Sequence, residues 1–175
     1  MSGKILGYKF FERKAPMVAK EMLGKFLVRK IGNKERALMI TEVEAYTGKD
    51  DMSSHAANGM TPRNKVMFGP PGRWYVYFIY GMYHCLNIVT ERDGQAGAVL
   101  IRGVDGISGP GKICRDLKID RRLYGKPANK RSGLWIEDIG GDKNKKQETK
   151  IKKTRRINVG GHGKAQKRLW RFVLA

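Results

Sequence analysis

Acidic residues are scarce in this chain, and their scarcity is the strongest feature of its composition. Sixteen Asp and Glu stand against 36 Lys and Arg in 175 residues, which gives a formal net charge of +20. A positive field of this size concentrates polyanions at the protein surface. Nucleic acid is therefore the expected partner, and an anionic membrane surface is the alternative polyanion.

Long hydrophobic runs are also absent, because no apolar run approaches the roughly 20 residues of a membrane-spanning helix. The first residues, Met1 to Lys4, show no signal-peptide pattern. The spacing of the only two cysteines, Cys85 and Cys114, fits neither a zinc nor a redox motif, so we expect buried thiols in a reducing compartment. These absences predict a cytoplasmic protein without a membrane partner, nucleoid-associated in a prokaryote or nuclear in a eukaryote.

The positive charge is concentrated near the end of the chain. Residues 143–171 hold 12 Lys and Arg and a single acid, Glu148, so they supply +11 of the total. One interpretation is a solvated, partly flexible tail. The other is a set of strands and loops with basic outer faces that contact phosphate. We favour the second because hydrophobic residues run through the segment: Ile151, Ile157, Val159, Leu169, Trp170, Phe172 and Leu174.

The length and the spacing of hydrophobic residues predict one domain over residues 1–175. Pro16 begins a helical pattern that Gly24 ends, and Ser108-Gly109-Pro110 begins a second helix. Strand patterns are more numerous, at 26–31, 37–46, 74–80, 84–90, 98–102, 134–137 and 169–174. We therefore predict an α+β fold: a curved, mostly antiparallel, open-barrel-like sheet with a few flanking helices, rather than a doubly wound parallel sheet.

Two acids end the second of these strands. Simple alternation puts Glu42, Glu44 and Tyr46 on the face shared by Leu38 and Ile40, with the carboxylates about 7 Å apart. Both acids could pair with nearby Arg or Lys. Alternatively, one could serve as a general base or as the partner of a developing cation. The spacing does not choose between the two acids.

Tyrosines are clustered in the next strand and the turn after it. Four of them fall within residues 75–83, and alternation puts Tyr75 and Tyr77 on one face and Trp74, Val76, Phe78 and Tyr80 on the other. Aromatic strands usually fill cores. A tyrosine cluster that leads into a glycine turn also suits stacking on nucleic acid bases or wedging between base pairs.

Metal and nucleotide sites have little support. His55 follows Asp50 and Asp51 in a polar loop, but one histidine and two adjacent acids are weak evidence for a metal. The glycine run at 160–163 satisfies neither phosphate-loop pattern, and no activated serine or cysteine is apparent. We therefore predict no metal and no other cofactor.

Several segments, in order, resemble the alkyladenine (3-methyladenine) DNA glycosylase family, which is distinct from the helix-hairpin-helix glycosylases. The resemblance runs from Phe10 to Phe172. Its most specific motifs are Ile40-Thr41-Glu42-Val43-Glu44-Ala45-Tyr46, Thr61-Pro62-Arg63-Asn64, Tyr75-Val76-Tyr77, Ile79-Tyr80-Gly81-Met82-Tyr83 and Ser108-Gly109-Pro110-Gly111-Lys112.

The resemblance implies a role for each candidate residue. Glu44 is the general base that activates a water for attack on C1′, and Arg102 and the backbone carbonyl of Ile157 hold that water. Tyr46 and His55 contact one side of a flipped base.

On the other side of that base, the resemblance places Tyr77. Tyr80 enters the minor groove and fills the gap in the stack, and Asn87 excludes normal guanine. Apart from the resemblance, we expect Arg63, Lys112 and Lys164 to contact the phosphate backbone.

The implied activity is that of a monomeric, monofunctional glycosylase acting on double-stranded DNA. It would release damaged purines of the 3-methyladenine, 7-methylguanine, ethenoadenine and hypoxanthine class and leave an abasic site for base excision repair. One alternative is a non-catalytic protein of the same fold that binds DNA or structured RNA. A basic ribosome-associated protein would explain the charge but would leave Glu44 and the tyrosines without a purpose.

Overall fold

A computed structural model describes residues 3–140, 150–161 and 163–175 of the chain. Within these ranges, four short helices accompany ten strands that form one sheet. Every strand pair in the sheet is antiparallel. The predicted α+β fold with an open, antiparallel sheet is confirmed. Residues 143–149 of the basic segment and His162 lie outside the described ranges.

The strands and helices are numbered in chain order. The strands are β1 (Lys4–Ile5), β2 (Phe26–Ile31), β3 (Lys34–Thr47), β4 (Trp74–Ile79), β5 (Tyr83–Val89), β6 (Gly97–Val104), β7 (Ile107–Ser108), β8 (Leu134–Asp138), β9 (Ile151–Thr154) and β10 (Arg171–Leu174). The helices are α1 (Tyr8–Phe11), α2 (Ala15–Met22), α3 (Pro110–Asp116) and α4 (Lys164–Lys167).

The long strand β3 is the centre of the sheet. The strand order is β1-β8-β2-β3-β6-β5-β4, while β10 pairs with both β3 and β9 and β7 pairs with β6. The first part of β3 pairs with β2, and the part from Ile40 to Thr47 pairs with β6. The second half of β3 therefore lies between β6 and β10, and a side chain there can meet groups from both.

A β-bulge interrupts β3 just before its acids. The register with β6 shifts between Ile40 and Val43. Both residues belong to the main core, which Leu38 also contacts, so the alternation of faces reverses across the bulge. The prediction that Glu42 and Glu44 share a face with Leu38 and Ile40 is therefore wrong. That prediction assumed that side chains alternate regularly between the two faces of β3, and the extra residue of the bulge interrupts this alternation.

Glycine is needed on the strand opposite the bulge. A Cβ atom at Gly103 would lie 2.9 Å from Cβ of Glu42 and 3.0 Å from Oγ1 of Thr41. Any larger residue would push the two strands apart at the point where β6 approaches the acids.

The helices cover the core face of the sheet. In α2 the buried residues are Ala15, Val18, Ala19 and Met22, the spacing expected of an amphipathic helix, and Gly24 follows with φ of +77°. Ile113, Cys114 and Leu117 on and after α3 are buried as well. Strand β4 ends at Ile79, one residue earlier than predicted. No helix in the described ranges has the length and apolarity to cross a membrane.

Candidate active site

Glu44 is a fully buried carboxylate with three donors around it. Its Oε2 atom accepts the hydroxyl proton of Tyr46 at 2.7 Å, and its Oε1 atom accepts the backbone N–H of Ile157 at 2.7 Å. Nε of Arg102 lies 3.5 Å from Oε1. Burial raises the pKa of Glu44 above its usual range, because loss of hydration outweighs the stabilisation that these donors give the charged form.

Glu42 has a different environment, although it lies two residues away on the same strand. Its Oε1 atom accepts hydrogen bonds from Nε of Arg102 at 3.1 Å and from Nε of Arg171 on β10 at 2.6 Å. Glu42 therefore fits the interpretation in which the acid is paired with arginine. The Glu44 carboxylate, in contrast, also accepts hydrogen bonds from a hydroxyl and a backbone amide. Arg102 is a cation that the two acids share.

Two adjoining cavities are lined by residues that contact these acids, although neither acid is itself part of the lining. One, of about 310 Å³, is lined by Arg102, Lys112 and Ile157 among others. The second, of about 360 Å³, is lined by His55 and Asn87 among others. Both are also lined by Tyr46, Tyr77, Ile79, Tyr80 and Asn158. The two tyrosines Tyr46 and Tyr77 thus border a continuous recess of the size that small-molecule and base pockets have.

His55 lines the second cavity. Nδ1 of His55 lies 2.9 Å from the hydroxyl of Tyr75, and burial, with the charge of Arg63 adding to it, lowers the pKa of His55. Its ring contacts the ring of Tyr77 edge to face, with centroids 4.6 Å apart. In this arrangement that contact leaves no room for a base between the rings of His55 and Tyr77.

Asn87 lies at the floor of the second cavity. It is buried, and its Nδ2 donates to the backbone carbonyl of Tyr75 at 3.2 Å. The register of β4 and β5 sets Asn87 opposite Tyr75. Because one amide hydrogen is used by the backbone, the orientation of the side chain is fixed.

Tyr80 stands at the rim of both cavities. It follows β4 in a tight turn in which the Met82 N–H donates to the Ile79 carbonyl at 3.2 Å. Tyr80 has φ of +54° and Gly81 has φ of +64°, which is the backbone of a type I′ hairpin turn. A tyrosine at positive φ is strained. The turn holds its ring in solvent, where 71% of the residue surface is exposed.

A buried arginine lies behind Tyr46. Both side chains of the Arg156–Asp51 pair are 0% exposed, and two guanidinium nitrogens donate to the two carboxylate oxygens at 2.7 Å each. The same guanidinium donates to the carbonyls of Ala45 and Ala165, and its carbon lies 4.7 Å from the Tyr46 ring centroid. This pair joins β3, the loop before His55 and the C-terminal segment.

No pattern in the sequence singles out this arginine. Arg156 follows Arg155 inside a run of basic residues, and nothing in that pattern separates an inward side chain from an outward one. Asp51, considered above for a metal, is instead held by a guanidinium. No group of three metal-ligating side chains occurs in the part of the chain that the structure describes.

The three predicted phosphate-contact residues lie in different places. Lys112 lines the first cavity. Arg63 lies over the ring of Tyr77, with its guanidinium carbon 5.2 Å from the centroid, and its Nη2 donates to the Phe78 carbonyl at 3.2 Å. Lys164 begins α4, is exposed and lines neither cavity. Their roles toward phosphate stay predictions.

Similarity to known proteins shows which family this chain belongs to. The model of the methylpurine-DNA glycosylase family matches residues 9–108 and 104–175, so the chain belongs to that family. A relative from Methanocella arvoryzae is 42% identical, over 96% of this chain and 91% of its own. Relatives from Anaeromyxobacter dehalogenans (44% identical; 94% of this chain, 81% of its own) and Sodalis glossinidius (51%; 69% and 73%) are similar too. All three bear the provisional name 3-methyladenine DNA glycosylase.

Proposed function

We propose that residues 1–175 form one monofunctional DNA glycosylase domain that removes alkylated or deaminated purines from duplex DNA. The observation that carries the proposal is the buried Glu44 carboxylate, which is hydrogen-bonded to Tyr46 at the side of a recess between two tyrosines. The provisional name of the relatives, 3-methyladenine DNA glycosylase, supports the same substrate class. The net charge of +20 supports capture of DNA.

The damaged base must leave the helix before it is cut, because its glycosidic bond is unreachable inside a duplex. The rings of Tyr46 and Tyr77 stack on the two faces of the flipped base, with His55 at its edge. Tyr80, already held in solvent, enters the vacated space in the helix. Asn87 lies at the floor of the pocket, where the extra amino group of normal guanine would clash.

The reaction is a hydrolysis. A water oxygen attacks C1′ as the bond from C1′ to N9 breaks, the bonding electron pair leaves with the purine, and Glu44 takes a proton from the water. The raised pKa of Glu44 makes it a stronger base near neutral pH than an ordinary carboxylate. Arg102 and the carbonyl of Ile157 hold the water in line. The reaction uses no Schiff-base lysine, metal or organic cofactor.

The DNA phosphates around the lesion are contacted by Lys112, Lys164 and Arg63. The protein works as a monomer. Its product is an abasic site for base excision repair. The protein acts in the compartment that contains the DNA, which is the nucleoid region in a prokaryote and the nucleus in a eukaryote.

Duplexes that carry one 7-methylguanine, ethenoadenine or hypoxanthine test the proposal. The expected result is release of the base and an alkali-labile abasic site, with no covalent complex trapped by borohydride. Lesion-specific binding without release from any duplex would favour the non-catalytic alternative. A borohydride-trapped complex would contradict the monofunctional reaction.

A further inference from the structure

The carboxylate of Glu42 receives arginines from both sides of β3. Nε of Arg102, on β6, donates to Oε1 of Glu42 at 3.1 Å, and Nε of Arg171, on β10, donates to the same oxygen at 2.6 Å. Strands β6 and β10 pair with opposite edges of β3. One carboxylate oxygen therefore holds two guanidinium groups that come from distant parts of the chain.

Arg171 lies on the same face of the sheet as the two acids. It is the register partner of Glu44, and the next residue, Phe172, is buried in the core opposite Val43. The Arg171 side chain is only 23% exposed, and its Nη1 atom donates to the Thr154 hydroxyl at 3.0 Å. Although Arg171 belongs to the basic segment expected to contact phosphate, its guanidinium group is turned toward an acid.

The charge of Arg102 is divided between the two acids. Its Nε atom lies 3.1 Å from Oε1 of Glu42 and 3.5 Å from Oε1 of Glu44. The hydrogen bond from Arg171 offsets part of the charge on the shared oxygen, so Glu42 holds Arg102 less tightly. More of the positive charge of Arg102 is thereby available to Glu44.

We propose that Arg171 is a positioning residue for Glu44, the acid proposed as the general base. It occupies the carboxylate of Glu42, and Arg102 is thereby left close enough to Glu44 to stabilise its charged form. Loss of Arg171 draws Arg102 toward Glu42, whereas loss of Glu42 releases Arg102 to Glu44. The inference rests on the proposed function only where it concerns base release, because these contacts involve no DNA.

The environment of Glu44 makes the position of Arg102 decisive. Burial raises the pKa of Glu44, and Arg102 has the largest of the influences that lower it. Within the described residues, the charged and titratable groups around Glu44 are Glu42 and Tyr46 on β3, Tyr77 on β4, Cys85 on β5, Arg102 on β6, Arg171 on β10 and Arg156 between β9 and α4.

A carbon-13 NMR titration of the Glu44 carboxyl, in the protein without DNA, tests the inference. The resonance is assigned by its absence in Glu44→Gln. Arg171→Gln is expected to raise the pKa of Glu44 by about one pH unit, and Glu42→Gln is expected to lower it by a similar amount. Arg171→Gln leaves Glu42 paired with Arg102, so the fold is expected to be kept.

Two further variants control for side-chain loss. Arg171→Lys keeps a cation beside Glu42 and should hold the pKa of Glu44 near the wild-type value. Arg13→Gln is the matched control, because Arg13 is similarly exposed, at 32%, and pairs with Glu21 on α2 instead. It should leave the pKa of Glu44 unchanged. A pKa of Glu44 that stays unchanged in Arg171→Gln as well would overturn the inference.

The double variant of Glu42→Gln and Arg171→Gln separates positioning from a direct effect of charge. If Arg171 acts through Glu42, its loss has no further effect once Glu42 is replaced. The pKa of Glu44 in the double variant should therefore equal that in Glu42→Gln alone. A direct effect of the Arg171 charge would instead raise the pKa equally in both backgrounds, and that result would also overturn the inference.

The pH dependence of single-turnover hypoxanthine release connects the inference to the proposed function. The acidic limb should move to higher pH in Arg171→Gln and to lower pH in Glu42→Gln, with lesion binding kept in both. Weaker binding of every duplex by Arg171→Gln, with an unmoved limb, would make Arg171 a phosphate contact and contradict the positioning role. The expected NMR shifts in a protein that releases no lesion would support the positioning and contradict the glycosylase activity.

Discussion

The hydroxyl of Tyr46 donates a hydrogen bond of 2.7 Å to the carboxylate of Glu44, two residues earlier on the same strand. Both side chains project from one face because they lie two residues apart in the regular part of β3 that follows the β-bulge. The ring proposed to stack on the base is therefore bonded directly to the acid proposed to activate the water. A change at Tyr46 should alter the chemistry as well as the binding.

Tyr46→Phe should shift the pH dependence of base release. The hydroxyl stabilises the charged form of Glu44, so its loss raises the pKa of Glu44 further. A hydrogen bond to a charged group is worth about 1.5–3 kcal/mol, which corresponds to a shift of about one to two pH units. The acidic limb of the single-turnover rate should move to higher pH by that amount.

Tyr8→Phe is the control for this variant, because the Tyr8 hydroxyl contacts Glu12 on an exposed helix instead. Its pH profile should match that of the wild-type protein. If Tyr46→Phe lowered the rate equally at every pH, the hydrogen bond would not control the protonation of Glu44.

Glu44→Gln should stabilise the protein at neutral pH. The pKa of Glu44 is raised by folding, so the stability that Glu44 contributes is present below its unfolded pKa and is lost as pH rises through its folded pKa. The neutral amide avoids this loss. The melting temperature of the variant relative to wild type should therefore be higher at pH 8 than at pH 4, and an equal difference at both values would contradict the raised pKa.

Arg156→Met should destabilise the fold strongly. It leaves the carboxylate of Asp51 buried without its cation, a change that costs about 3–5 kcal/mol in other proteins. Denaturant unfolding measures the loss. Arg122→Met is the control, since Arg122 pairs with Asp120 at the surface and its loss should change stability little. Similar midpoints for the two variants would mean that Arg156 does not hold the site together.

Tyr80→Gly should separate stability from recognition. Glycine accepts positive φ without strain, so the variant should gain about 1 kcal/mol of stability. It should also lose preference for lesion-containing over undamaged duplex, while binding to undamaged DNA is largely kept. Tyr80→Phe keeps the ring and should keep the preference. Equal loss on both duplexes in Tyr80→Gly would contradict the wedge role.

Hydrophobic spacing predicted most of the fold because its signals are local. The strand at 26–31 and the buried faces of α2 and α3 follow from periodicity and from Pro16, Gly24 and Pro110. The bulge in β3 could not be predicted in this way. It depends on the pairing with β6, whose Gly103 comes from a distant part of the chain.

The candidate site, like the fold, could be predicted from the sequence only in part. Motif resemblance selected Glu44, Arg102, Tyr46 and Tyr77. The structure places Arg102, Tyr46 and Tyr77 around one recess, and Glu44 is buried next to them, hydrogen-bonded to Tyr46. The inward turn of Arg156 depends on Asp51 and two distant carbonyls. No spacing along the chain encodes such a contact.

The most direct measurement is the single-turnover rate of hypoxanthine release by Glu44→Gln, with Glu42→Gln as its matched control. Removal of a general base lowers the rate by about 10²–10⁴-fold, and we predict a loss at least that large for Glu44→Gln with lesion binding kept. Glu42→Gln should lose less, because Glu42 only positions Arg102 and Arg171. Wild-type release by Glu44→Gln would contradict the account.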